Sequence, residues 1–382
     1  MVEVETLSGV REVARAEWNA LVGGESPFLE WEWLASLEEA GCVGGKTGWS
    51  PRPVVVRDGG RLVAAVPLYV KLHSEGEFVF DWGWADAAER AGIPYYPKLL
   101  VGVPFTPVTG ARFLVADGQS RAEWIARLGA ALVEICGESG LSGVHVNFCR
   151  GDEVEALRGL GYELRMGVQY HWRNAGYAAF DDWLARFRSK RRNQIRRERR
   201  ALAEQGVEIE VRAGDEIGGE LVDPIYGFYL STIEQRVWGR QYLNRDFFAL
   251  LAERFRHRLC FVLARQRGEL IAGTANVLKD GVLYGRYWGA RRQLRHLHFN
   301  VCYYAAIEWA IAHGITRFEP GAGGDYKYLR GFEARPTWSM HFLAEPRLAA
   351  AVARFLEQER AHASAVIEQL GAESPLKTPR PA

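Results

Sequence analysis

The sequence predicts a mixed α/β (α+β) fold built as two similar halves. Three observations carry this. First, 382 residues exceed the roughly 100–200 residues of an ordinary domain, so two domains are expected. Second, β-rich runs are joined by Asp-Gly and Arg-Gly pairs, which mark antiparallel hairpins. Third, the order of helices, then an antiparallel meander, then helix and strand occurs twice along the chain.

In the first half the pattern predicts a strand at about 2–7 and helices over 11–22 and 30–40. Strands at 53–57 and 61–71 are joined by Asp58-Gly59-Gly60. A stretch rich in Gly, Pro and aromatic residues runs over 81–109. A helix at 121–138, a strand at 142–149, a helix at 152–159 and a strand at 162–170 follow. The second half begins with a helix near Phe180 and a strand at 207–213, then helices at 222–237 and 245–257. Strands at 259–266, 269–279 and 282–289 are separated by Arg267-Gly268 and Asp280-Gly281. A helix at 298–313, a strand at 315–319, a Gly-rich turn and a strand near 337–343 complete this half. A trailing helix is expected over 347–370. The predicted domains are therefore 1–173 and 174–346, with 347–382 as a helix and tail.

Composition narrows the class. Apolar content of 48% and charged content of 25% are those of a folded globular protein. The net charge of +1 gives no general argument for nucleic acid, and no DNA partner is expected. The charge is uneven, however. Residues 186–200 hold nine Lys or Arg against one acid, Glu198. Such a local patch reads as a site for one anionic partner or as a solvated helix. The five cysteines, Cys42, Cys136, Cys149, Cys260 and Cys302, include no Cys-x-x-Cys pair. That pattern fits reduced thiols and a cytoplasmic location better than disulfides or zinc. The start of the chain shows no signal-peptide pattern. No apolar run reaches 18 residues, so any membrane contact is expected to be peripheral, at the inner membrane.

Several strings carry a resemblance. They are Asp81-Trp82-Gly83-Trp84-Ala85-Asp86, Tyr95-Tyr96-Pro97-Lys98-Leu99 and the run from Val103 to Gly110. In the second half they are Trp238-Gly239, Tyr242-Leu243-Asn244, Gly285-Arg286-Tyr287-Trp288-Gly289 and Leu297-His298-Phe299. Cys302-Tyr303-Tyr304, Glu319-Pro320-Gly321-Ala322, Lys327 and Arg330-Gly331-Phe332 complete the set. Together they resemble the FemABX-like family of N-acyltransferases labelled for peptidoglycan biosynthesis and recognition. The resemblance implies tandem GNAT-like acyl-CoA N-acyltransferase domains, the first structural and acceptor-binding, the second donor-binding and catalytic. Two departures stand out. The family has an acidic residue where this chain has Asn300, and a histidine where it has Tyr326.

Transfer of an acyl group to an amine requires a base for the amine and stabilisation of an oxyanion. Candidates for the base are Asp325, His298 and Glu319. Histidine titrates near neutral pH, and the two carboxylates flank a glycine turn where backbone approaches a ligand closely. Each also has a structural reading, as a helix-start or turn residue. Arg286, Tyr287 and Trp288 on the strand at 282–289, with Lys327 and Arg330, are candidate substrate-binding residues. So are Trp82, Trp84, Tyr95, Tyr96, Lys98, Phe105 and Thr106, which either line an acceptor groove or pack a covering loop. No metal site is expected: His296 and His298 lack a matching ligand cluster.

No tightly bound cofactor is expected. The donor implied is acyl-CoA or acyl-ACP as co-substrate, with aminoacyl-tRNA the alternative. The acceptor is an amine of a small molecule or lipid of the cell envelope: a sphingoid base, as for a ceramide synthase, or a peptidoglycan precursor. Residues 186–200 are the candidate contact for an anionic membrane surface or tRNA. A non-catalytic glycan- or lipid-binding protein is the rival from another class.

Overall fold

The computed structural model describes residues 2–234 and 239–377, without the Asp325 side chain; Trp238 of the sequence motif lies outside these residues. The chain forms two compact units. One holds the residues up to Val168 together with Pro336–Val366; the other holds Gln169–Arg335 and the chain from Ile367 on. The sequence reading had ended the first domain at 173 and kept 337–343 in the second. The difference has a physical origin. The strand after Pro336 takes its hydrogen bonds from a partner nearly 200 positions earlier, with Met340 opposite Val146 and Phe342 opposite Val144. Nothing local in the sequence reports such a pairing.

In the first unit, four antiparallel strands stand in the order Val2–Thr6, Val54–Asp58, Arg61–Val66 and Leu114–Val115. A second sheet runs from the strand beyond Pro336 through Gly143–Cys149, Lys98–Val101 and Leu68–Lys71 to Trp49–Pro51. The sequence reads 61–71 as one strand. The structure breaks it at Pro67, which has no N–H to give to a ladder, and sends its halves into different sheets. Gly143–Cys149 is buried at every position. Helix Arg121–Glu138 covers this core with Trp124, Ile125, Leu128, Leu132 and Cys136, spaced as one helical face. Within 81–109, read as an aromatic-rich loop, lie a helix, Trp82–Arg90, and the strand Lys98–Val101.

The second unit has one sheet in the order Val207–Ala213, Leu259–Gln266, Glu269–Lys279, Val282–Ala290, Arg317–Glu319 and the Gln169–Arg173 end of Glu163–Arg173. The first three contacts are antiparallel. Strand Val282–Ala290 then pairs in parallel with Arg317–Glu319, but only over Val282, Leu283 and Tyr284. Pro320 ends that pairing, and the longer strand runs on to Ala290. Its other edge carries a bulge: Ala275 faces Tyr287 while Asn276 faces Gly285, so Arg286 is the extra residue.

Helix Val222–Glu234 lies against this strand. Ser231 Oγ accepts from the Ala290 N–H at 3.1 Å, and Thr232 Oγ1 donates to the Trp288 carbonyl. The close approach requires Gly289, where a Cβ would lie 1.7 Å from the Phe228 carbonyl oxygen. Because backbone must move to make room, Gly289→Ala is expected to cost about 1–3 kcal/mol. Urea unfolding checks this; a variant with an unchanged midpoint would mean that the helix is free to slide.

The expected basic helix is two helices, Phe180–Ala185 and Ser189–Ala203. Trp183, Phe187, Ile195 and Leu202 are all buried in the core of this unit.

Candidate functional site

The splayed strand leads to a site in the second unit. Glu319 is the last residue of its short strand and sits opposite Tyr284, the last paired residue of Val282–Ala290. The chain then turns through Pro320 and three glycines, Gly321, Gly323 and Gly324, each in the left-handed region. Gly285 abuts this turn, since a Cβ there would lie 3.1 Å from Pro320 Cα. The continuing strand, the glycine turn and Glu319 are therefore neighbours.

The Glu319 carboxyl is buried. Its Oε1 lies 3.0 Å from Arg317 Nε, and its Oε2 lies 3.7 Å from His171 Nε2. Neither Oε2 nor His171 Nε2 has a hydrogen-bond partner. Burial pushes Glu319 up to about 7, with Arg317 opposing. A carboxyl that titrates near neutrality in an enclosed place is suited to accept a proton.

The other expected residues divide. Lys327 is buried, and its ammonium donates to the Gly321 and Ala322 carbonyls at 2.7 and 3.4 Å. Burial lowers it to about 8. It staples the glycine turn. Arg330 is also buried. Its guanidinium lies 3.2 Å from the centre of the Phe299 ring, donates to the Tyr326 carbonyl and lies 3.6 Å from Glu198 Oε2. Both cations, candidates for substrate contact in the sequence, thus hold the chain around the turn Asp325–Arg330. The Asp325 side chain lies outside the described residues.

His298 packs among the rings of Trp288, Phe299, Tyr303 and Tyr326 at 4.9–5.7 Å. Burial, with Arg330 and Lys327 adding to it, pushes it down to about 4, so the ring is neutral at pH 7. Tyr326 closes this aromatic group, packing also on Phe299 and Tyr303. The Asn300 amide donates to the carbonyls of Glu198 and His296, a role that a carboxylate lacks. Tyr287 packs against Tyr229 and Phe248, and the Arg286 guanidinium lies 5.4 Å from the Tyr287 ring.

The first unit has its own polar constellation. Lys98 is fully buried and donates to Ser74 Oγ, Glu77 Oε2 and Asp81 Oδ2 at 2.9, 2.9 and 2.5 Å. The Tyr95 hydroxyl donates to the same Asp81 oxygen, and the Tyr96 hydroxyl meets Ser74 Oγ. Burial pushes Lys71 down and Glu77 up, each to about 7. Asp81 stays well below the usual carboxylate range: Lys98 and His145 outweigh its burial. His145 and His341 face each other at 2.7 Å with Trp84 packed on both. Trp82 and Tyr96 line a surface hollow of about 530 Å³ beside Asp86, Glu89 and Ile93. Phe105 and Thr106 lie elsewhere: Phe105 packs on Trp49 at 5.2 Å, and Thr106 donates to the Pro104 carbonyl. The structure thus separates the candidates of 81–109 into a hollow, a buried charge cluster and core.

Sequence reasoning missed His171, Lys71, Glu77, His145 and His341. For His145 a signal exists, a polar residue inside the apolar run Val144–Phe148. For His171 there is none, because its meaning comes from the neighbouring strand. Among the described residues no group of His, Cys, Asp and Glu could hold a metal ion, and no helix is long and apolar enough to cross a membrane.

Solved structures share this architecture. The chain is similar to FemX at 12% identity, covering 89% of this chain and 98% of that one, with a TM-score of 0.57. It is similar to L-PGS from Bacillus licheniformis at 11% identity, covering 84% and 95%, with a TM-score of 0.50. The C-terminal domain of a putative lysylphosphatidylglycerol synthetase from Agrobacterium fabrum matches at 10% identity, covering 90% and 95%, with a TM-score of 0.53. At these identities the likeness shows the fold, a tandem GNAT-like α/β architecture. No curated protein matches the sequence. The chain belongs to the FemAB-like family, described as peptidoglycan biosynthesis/recognition, whose model matches residues 9–378.

Proposed function

We propose that this protein is an N-acyltransferase that forms an amide on an amine of a cell-envelope molecule, a peptidoglycan precursor or a lipid amine. The observation that carries the reading is Glu319: a buried carboxyl, one oxygen of which has no partner, placed where Val282–Ala290 parts from its neighbour. In the reaction the amine nitrogen attacks the carbonyl carbon of an activated acyl group. The new C–N bond forms as the amine proton passes to Glu319. The bond to the leaving thiol or hydroxyl then breaks, and that group takes up the proton. Backbone N–H groups on the free edge of the strand are the candidate donors to the oxyanion. The donor is an acyl thioester such as acyl-CoA or acyl-ACP, or an aminoacyl-tRNA. The envelope setting is supported by the family description and by the fold shared with a putative lysylphosphatidylglycerol synthetase.

The basic helix supports contact with an anionic surface. Arg188, Lys190, Arg197 and Arg200 are exposed and without ion pairs among the described residues. Among the described residues, Arg196 and Arg199 are the basic side chains of this helix paired with acids, Asp181 and Glu308. We assign it to an anionic membrane or, in the aminoacyl-tRNA case, to the tRNA.

Mass spectrometry of lipids and muropeptides from a strain lacking the gene tests the reading and names the acceptor. An amide missing there and restored by the gene is the expected result; an unchanged profile would favour a binding protein. The reading also predicts a pH dependence. Glu319 must be ionised to accept a proton, so kcat/KM should rise with pH and reach half its plateau near pH 7. A profile flat from pH 5 to pH 8 would remove Glu319 from the proton transfer.

A further inference from the structure

We propose that His171 is the positioning residue for Glu319: its Nε2–H closes on the carboxylate as Glu319 ionises and holds the carboxylate ready to accept a proton. The inference rests on the functional reading above, because it assigns a helper to that base.

The geometry begins with the sheet. Glu163–Arg173 runs antiparallel to Arg317–Glu319, with Arg173 opposite Arg317 and Trp172 opposite Phe318. Register continues to bring His171 level with Glu319. The two side chains meet in an enclosed place, 14% and 6% exposed, with Nε2 and Oε2 3.7 Å apart. That gap is too long for a hydrogen bond, and neither atom has another partner. A buried donor and acceptor left unmade is costly. Two such atoms beside each other are explained by a bond that is open while Glu319 holds its proton and made when it ionises.

The charges around the pair favour this division of roles. Arg173 on the same strand, Arg317 on the neighbouring strand, Arg335 on the last strand and Lys327 in the glycine turn all face His171. With burial as the larger cause, they push it down to about 3. The imidazole is therefore neutral, and a neutral imidazole carries one N–H. With that hydrogen on Nε2 it donates to the carboxylate and stabilises the ionised form of Glu319. A charged imidazolium would instead hold Glu319 too firmly as an anion for it to accept a proton.

The test compares His171→Phe, which removes the donor, with His171→Gln, whose amide N–H can take the place of Nε2–H. Infrared difference spectra, each taken against the same variant carrying Glu319→Gln, follow the Glu319 carboxyl as pH is changed without substrate. The second readout is the amount of the missing amide restored by each variant in the deletion strain. His171→Phe should raise the Glu319 midpoint by about one unit, a tenfold shift in its ionisation, and restore about a tenth of the amide. His171→Gln should move both back toward the wild-type values. Thermal melts confirm that the variants are folded. A Glu319 midpoint unmoved in folded His171→Phe would overturn the proposal. A moved midpoint in a strain that lacks no amide would keep the pairing and sink the functional reading instead.

Discussion

Glu319→Gln is expected to lower turnover by about 10²–10⁴-fold, the usual worth of a positioned acid or base. The substitution preserves size and removes only the ability to accept a proton. Its effect on stability should have the opposite sign. The folded carboxyl titrates near 7, above the ordinary 4.5, so the folded state binds its proton more tightly than the unfolded chain does. Stability from this group is present below about pH 4.5 and is lost as pH rises through 7. Glutamine carries no charge at any pH, so the variant should escape that loss. Its melting temperature at pH 8 should equal or exceed that of the wild type, while the two converge at pH 5. Full amide production by a folded Glu319→Gln protein would take the carboxyl out of the mechanism, and the same measurement on Asp325→Ala would then identify the other carboxylate as the base.

The second large effect belongs to the basic helix. Changing Arg191, Arg192, Arg196 and Arg197 together to Gln hardly alters helix propensity. The structure removes the main risk to the fold. The buried acid of this helix, Glu198, is held by Tyr304 and Arg330 and by Gln194, not by these four arginines. Arg196 pairs with Asp181, but both side chains are more than half exposed, and such pairs contribute little. What should fall is affinity for an anionic surface. At about 1 kcal/mol per basic residue near such a membrane, four charges are worth about 4 kcal/mol, close to a thousandfold. Salt should imitate the mutation, because the Debye length shrinks from about 10 Å at 0.1 M to about 3 Å at 1 M. Co-sedimentation with anionic vesicles and a tRNA gel shift at two salt concentrations separate the two partners. Unchanged binding to both would leave the helix as a solvated face.

What could be read from the sequence depended on how local the physics was. The hairpin at Asp58-Gly59-Gly60 and the meander over 259–289 follow from turn chemistry and periodicity within a few residues. The same is true of Glu319 beside its glycines, which stood out as a carboxylate in a turn that allows close approach. The Trp82–Arg90 helix was hidden, because Gly83 and the aromatic residues around it carry little helical signal.

By itself, the sequence determined the mixed α/β class, the family resemblance and the glycine turn beside Glu319, because each is written in spacing or in short strings. The tertiary structure alone decided the roles. Lys327 and Arg330 turn inward to hold a loop, since a buried cation must find carbonyls, a ring or a carboxylate. Lys98 gathers Glu77 and Asp81 for the same reason. His171 faces Glu319 only because two strands about 145 positions apart are neighbours in register. Pairing across such a distance depends on which surfaces bury each other best, and no window of the sequence contains that comparison.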